Sequence, residues 1–197
     1  MRSAACVLRP LRLFGATGMS KKDGYPYAET LVLGCGNLLF GDDGFGPAVA
    51  EEIVRRYPIP DNAAVINLGL SSRDFLFDVL LSDDRPRRIV VVDALRCEGK
   101  GTGEIFEVPL ETLAAGAGND FSFHRGPTSS LLKEIRDLCG VEVVILACQP
   151  ESIPDVISPG LSSPVREAVP RASQWIFERY LQPKGSGRAH PAGGCYA

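Results

Sequence analysis

Two adjacent aspartates, Asp42 and Asp43, stand in a glycine-rich turn within LVLGCGNLLFGDDGFG, residues 31–46. A third, Asp93, ends the apolar run IVVVD, and an imidazole, His124, lies in FSFHRG. Two carboxylates and one imidazole form an O,O,N donor set suited to a borderline divalent cation, with coordination positions left open. An aspartate that follows four apolar residues is costly to bury and needs a partner. A second reading of the turn is purely local: Asp42 and Asp43 cap the helix that opens near Gly44, where acidic groups favour the helix dipole. A lone histidine can equally be structural, and the other histidine, His190, lies in the tail.

The turn resembles a nucleotide-binding loop only in part. A dinucleotide fingerprint needs G-x-G-x-x-G, and Gly34 and Gly36 are followed by Leu39 where the third glycine belongs. A phosphate loop needs G-x-x-x-x-G-K-[ST]. Gly36 and Gly41 have that spacing, but Asp42 and Asp43 replace the Lys and the Ser or Thr. Adjacent carboxylates repel a polyphosphate unless a cation lies between them. The loop therefore suits a cation or a proton transfer, with a nucleotide-binding α/β module as a third reading.

Positioning these groups falls to a regular alternation of elements. Thr30 to Cys35 is short and apolar on both faces, as in a buried strand. A helix runs from Gly44 to Tyr57, with Phe45, Val49, Ile53 and Val54 at helical spacing, and Pro58 and Pro60 stop it. Ala63 to Leu68 reads as a strand and Ser72 to Leu81 as a helix with Ser71 or Ser72 at its N-cap. IVVVDAL is the strongest strand signal. GEIFEV follows too soon for a crossover helix, so it is expected to run antiparallel, nearer an edge. Residues 113–122 read as loop, Pro127 opens a helix, and VEVVILAC is another buried strand. A last helix starts at Ser163-Pro164, with a kink expected at Pro170.

That order predicts an α/β fold: a three-layer α/β/α sandwich with a five-stranded, mostly parallel sheet and one antiparallel strand. If the first and third strands are neighbours, Asp43 and Asp93 project into one crevice beyond their carboxyl ends. His124, just before the Pro127 helix, could reach the same edge. Gly34 and Gly36 are expected to turn the backbone sharply after the first strand, and Asn37 to hydrogen-bond that turn. Phe40 and Phe45 flank the acidic turn as either contact surface or core.

The chain of 197 residues, 45% hydrophobic, suffices for one domain, expected over 29–183 between an extension (1–28) and a tail (184–197). Arg2, Arg9, Arg12, Lys21 and Lys22 make the first 22 residues basic, and Arg9-Pro10 and Arg12 break the apolar centre that a signal peptide needs. A transit peptide, an extension outside the fold, or a start at Met19 remain the readings of that segment. The net charge of −3 gives no basis for nucleic-acid or anionic-membrane binding, and no apolar run is long enough to span a bilayer. Six widely spaced cysteines without a CxxC pair read as reduced thiols of a cytoplasmic protein, with Cys35 and Cys148 as core thiols.

Taken together, these motifs resemble the hydrogenase maturation endopeptidases. LVLGCGNLLFGDDGFG is similar to that family's opening signature, VVVDAL to its second motif, FSFHRG to its histidine motif, and CQPESI with PGLSSPV to its closing segment. The resemblance spans roughly residues 30–180 with four motifs in order. It implies a protease that removes a C-terminal extension from the nickel-loaded large subunit of a [NiFe] hydrogenase. By motif position the nickel-contacting residues fall on Asp43, Asp93 and His124, which the resemblance also makes the catalytic set. The nickel would arrive with the precursor subunit, the implied partner, and zinc or cadmium could replace it in a crystal. QPESIPDVISPGLSSPV is most similar to members that serve coenzyme F420-reducing hydrogenases.

No HExxH, G-x-S-x-G elbow or nucleophilic cysteine signature is present, so a water-based, metal-dependent cleavage is the economical expectation. Asp42 is either a residue supporting that site or a helix cap. A metal-site chaperone that binds the immature hydrogenase without cutting it would use the same Asp/Asp/His set.

Overall fold

The computed structural model describes residues 28–114 and 127–182. His124, the first 27 residues and the tail from Pro183, with His190, Cys6 and Cys195, lie outside the described residues.

Five strands form one sheet in the order β2-β1-β3-β5-β4. β1 (Thr30–Cys35) pairs in parallel with β2 (Ala63–Gly69) on one side and β3 (Arg88–Ala94) on the other. β3 pairs in parallel with β5 (Glu142–Cys148). β4 (Ile105–Glu107) is antiparallel to β5, as its short connection requires, and lies at the sheet edge rather than beside β3. The mostly parallel sheet with one antiparallel strand is the one expected. The strand order reverses between β1 and β3, which opens a crevice beyond their carboxyl ends.

Successive residues of a strand face opposite sides, so the all-apolar central strands feed two cores. On one side Leu31, Leu33, Ile89, Val91 and Ile145 pack against α2 (Ser72–Leu81) and α4 (Pro127–Cys139) through Leu76, Leu132 and Ile135. On the other side Val32, Val90, Val92 and Leu146 meet α1 (Phe45–Arg56) and α5 (Ser163–Ile176) through Phe45, Val49, Ile53, Val165 and Ala172. Phe45 is fully buried and belongs to this core. Truncating any of these large side chains to Ala would cost about 2–5 kcal/mol.

Two expectations change, at residues 113–114 and at Gly34. Leu110–Ala114 forms a short helix, α3, where the glycine- and alanine-rich segment suggested loop from residue 113. Its buried Leu110 supplies the anchor that five residues of pattern cannot reveal. α5 runs as one helix across Pro170 and ends in a single wide turn of π type over Phe177–Leu181. Gly34 lies inside β1, and its part is contact rather than turning: a Cβ there would lie 2.4 Å from the Gly46 carbonyl oxygen. No helix among the described residues is long and apolar enough to cross a membrane.

Candidate functional site

The site is built where β1 ends. Gly36 has φ +119°, and a Cβ there would stand 1.9 Å from the carbonyl oxygen of Asp43, so only glycine lets the chain fold back this tightly. The following segment reverses through a 3-10 turn at Gly41–Gly44 and enters α1. At Gly46 a Cβ would lie 2.2 Å from the Val92 carbonyl oxygen and 2.3 Å from that of Cys35. The first turn of α1 therefore rests directly on the ends of β1 and β3. This contact brings the acidic turn over the crevice where the strand order reverses.

Asp43 and Asp93 meet there. Asp43 is 6% exposed and its Oδ2 accepts the Asn37 N–H at 2.7 Å. Asp93 is 2% exposed and its Oδ1 accepts the Ala94 N–H at 2.8 Å. Burial, and next the charge of Asp43, hold the Asp93 carboxyl well above the usual carboxylate range. The same two carboxylates act on Cys35. Burial foremost, then Asp93, push its thiol up against a lowering hydrogen bond from Ser72, with a smaller raising contribution from Asp43. Burial likewise pushes Cys148 up to about 12. Neither thiol has the thiolate character of a nucleophile, as expected of core cysteines, and the four described cysteines are free.

Asn37 holds the turn as expected, its Oδ1 accepting the Leu39 N–H at 3.0 Å. Asp42 does not cap α1: the helix starts without a side-chain capping bond. Its carboxylate, 1% exposed, faces the segment after β5. There Oδ2 accepts the N–H groups of Glu151 (2.8 Å) and Ser152 (3.0 Å) and the Ser162 hydroxyl (3.0 Å), and Oδ1 accepts the Ser162 N–H (2.7 Å). Phe40 bridges to Ser158, which leaves Leu38 and Leu39, with Val156 and Ile157, as the exposed apolar groups of this rim. The sequence left Phe40 and Phe45 open between contact surface and core, because local spacing does not show which apolar residue turns inward; Phe45 is core.

The structure thus brings Asp43 and Asp93 together, while the third expected ligand, His124, lies outside the described residues. Among those residues no set of three His, Cys, Asp or Glu side chains gathers as a metal site. Two buried carboxylates in one crevice fit a cation by charge, and they supply only part of its shell. A groove of about 380 Å³ between α1 and α5 is lined by Glu51, Glu52, Arg55, Arg56 and Arg166 among others, and neither carboxylate borders it.

Comparison with known proteins bears on the chain as a whole. The profile of the hydrogenase maturation protease family (HycI) matches residues 47–179, a span that contains Asp93 and His124. A candidate hydrogenase maturation protease of Methanocaldococcus jannaschii is 38% identical over 161 residues, covering 81% of this chain and 97% of that one. The coenzyme F420 hydrogenase subunit delta of Methanothermobacter thermautotrophicus is 37% identical over 160 residues, covering 78% and 96%. The crystal structure of a [NiFe] hydrogenase maturation protease, HycI, from Thermococcus kodakarensis superposes with a TM-score of 0.61 at 27% identity, covering 76% and 90%.

Proposed function

Since this chain belongs to the hydrogenase maturation protease family, a family of peptidases, we propose that it removes a C-terminal extension from the large-subunit precursor of a [NiFe] hydrogenase once nickel is in place. The observation that carries this reading is the convergence of Asp43 and Asp93, both buried, where the strand order reverses between β1 and β3. A cation between two such carboxylates offsets their repulsion and their loss of hydration. His124 supplies the third donor.

The nickel is part of the substrate. It reaches the site already held by thiolates of the precursor, and Asp43, Asp93 and His124 complete its shell. In that position the ion can polarise a scissile carbonyl or acidify a water. The chain's own residues orient the precursor by holding its metal. Because they form an incomplete shell, the protein alone binds nickel weakly, and nickel becomes a check on the precursor's readiness. The likeness to the F420 hydrogenase subunit delta supports an F420-reducing hydrogenase as the source of the substrate.

The test is mass spectrometry of a nickel-loaded precursor after incubation with the purified protein. Loss of a C-terminal peptide is the expected result. A precursor that is bound at full length and never shortened would replace the protease with a metal-site chaperone.

A further inference from the structure

Asp42 and Asp43 are neighbours in one four-residue turn, yet their carboxylates serve opposite walls. Asp42 accepts four hydrogen bonds from residues 109 to 120 positions away. The backbone adds to this seam. The Asp42 N–H donates to the Ser152 carbonyl at 3.2 Å, and the Gly41 N–H donates to that of Ser158 at 2.9 Å. On the far side, the Asp43 N–H donates to the Phe40 carbonyl at 3.2 Å and Asp43 Oδ2 accepts from Asn37. Adjacent α-carbons are about 3.8 Å apart across a rigid peptide plane. A rotation at residue 42 therefore swings residue 43, and the bonds on Asp42 forbid that rotation.

We infer that Asp42 is a positioning residue that aims Asp43 at Asp93 by anchoring the acidic turn to the segment 151–162. The inference deepens the nickel-docking reading and rests on it for its consequence in catalysis. Groups that orient a metal ligand typically set metal affinity by about 10–100-fold. The competing account is that Asp42 only fastens the 151–162 segment, with Asp43 held independently by Asn37.

The two accounts separate at one amide. The Asn37 N–H is bonded to Asp43, not to Asp42, so its exchange with solvent reports where Asp43 points. The experiment is residue-resolved hydrogen exchange on the full chain carrying Asp42→Asn. We expect faster exchange at Glu151, Ser152 and Ser162 and, on the order of tenfold, at Asn37, with β3 and β5 amides unchanged. Wild-type exchange at Asn37 overturns the inference. If Asp42→Asn does not fold, Ser162→Ala, which removes one of the four bonds, decides by the same amide.

Calorimetric titration with nickel(II) chloride gives the second readout. Asp42→Asn weakens binding by about tenfold in the wild-type background and adds nothing once Asp43→Asn is present, because it acts through Asp43. Effects that multiply overturn it. A wild-type protein that takes up no nickel, or Asp43→Asn binding as wild type, breaks the nickel reading alone. The exchange at Asn37 then still decides the role of Asp42.

Discussion

The two walls that flank the acidic turn treat carboxylates in opposite ways. Toward the segment 151–162, Asp42 is buried and its oxygens accept four donors. Toward β3, Asp43 and Asp93 are buried beside each other, and Asp93 feels its neighbour as a destabilising charge. A buried acid that accepts several hydrogen bonds is a structural joint. A buried acid facing another acid is held in place by its fold at a cost, and that cost falls when a cation enters. Identical side chains one residue apart thus divide into a fastener and an acid that faces another acid, and only their surroundings tell them apart.

The largest effects should come from the three expected nickel-contacting residues. Asp43→Asn, Asp93→Ala and His124→Ala are each expected to lower precursor trimming by more than about a hundredfold, with circular dichroism unchanged. Normal trimming by Asp93→Ala would remove the mechanism. On the wall toward 151–162, Asp42→Ala leaves the N–H groups of Glu151, Ser152 and Ser162 without their acceptor. At about 1–3 kcal/mol for each group left unpaired, it should cost several kcal/mol in urea unfolding, far more than a surface substitution. Gly46→Ala tests what holds the walls together. The added methyl meets the Val92 and Cys35 carbonyls and should cost about 1–3 kcal/mol by the same measurement, as α1 lifts from the strand ends.

The smallest expected effect has the opposite sign. Asp93 carries a carboxyl whose folded pKa lies above its unfolded value. Its contribution to the stability of the metal-free protein is therefore full below the ordinary carboxylate range near pH 4 and is lost as pH rises through the folded pKa. Asp93→Asn cannot ionise and escapes that loss. It should melt with wild type in acid and roughly a few degrees higher at pH 7. A variant that melts lower at pH 7 would mean that Asp93 is paired like Asp42.

What the sequence disclosed follows the same division. β1, β3 and β5 were legible because a strand buried on both faces has to be apolar throughout. Once β1 and β3 are neighbours, the ends of IVVVD and of the glycine turn must share a crevice, so Asp43 and Asp93 could be named from spacing. Asp42 stayed open between a residue supporting the site and a helix cap, because its donors lie more than a hundred positions away in chain order. Gly34 was misread because its reason for being glycine is a tertiary contact, the Gly46 carbonyl of the helix packed on the strand, which a local pattern does not show. α3 escaped because five residues do not complete two helical turns. Phe45 gave an ambiguous signal, since an apolar residue beside a charged turn can face either way until the helix is docked.

The central claim is that Asp43 and Asp93 receive a cation that the precursor carries. It is tested most directly by incubating the purified protein with nickel-loaded and nickel-free large subunit side by side and weighing both by mass spectrometry. The account predicts that only the loaded subunit is shortened. Equal shortening of the nickel-free subunit would contradict it.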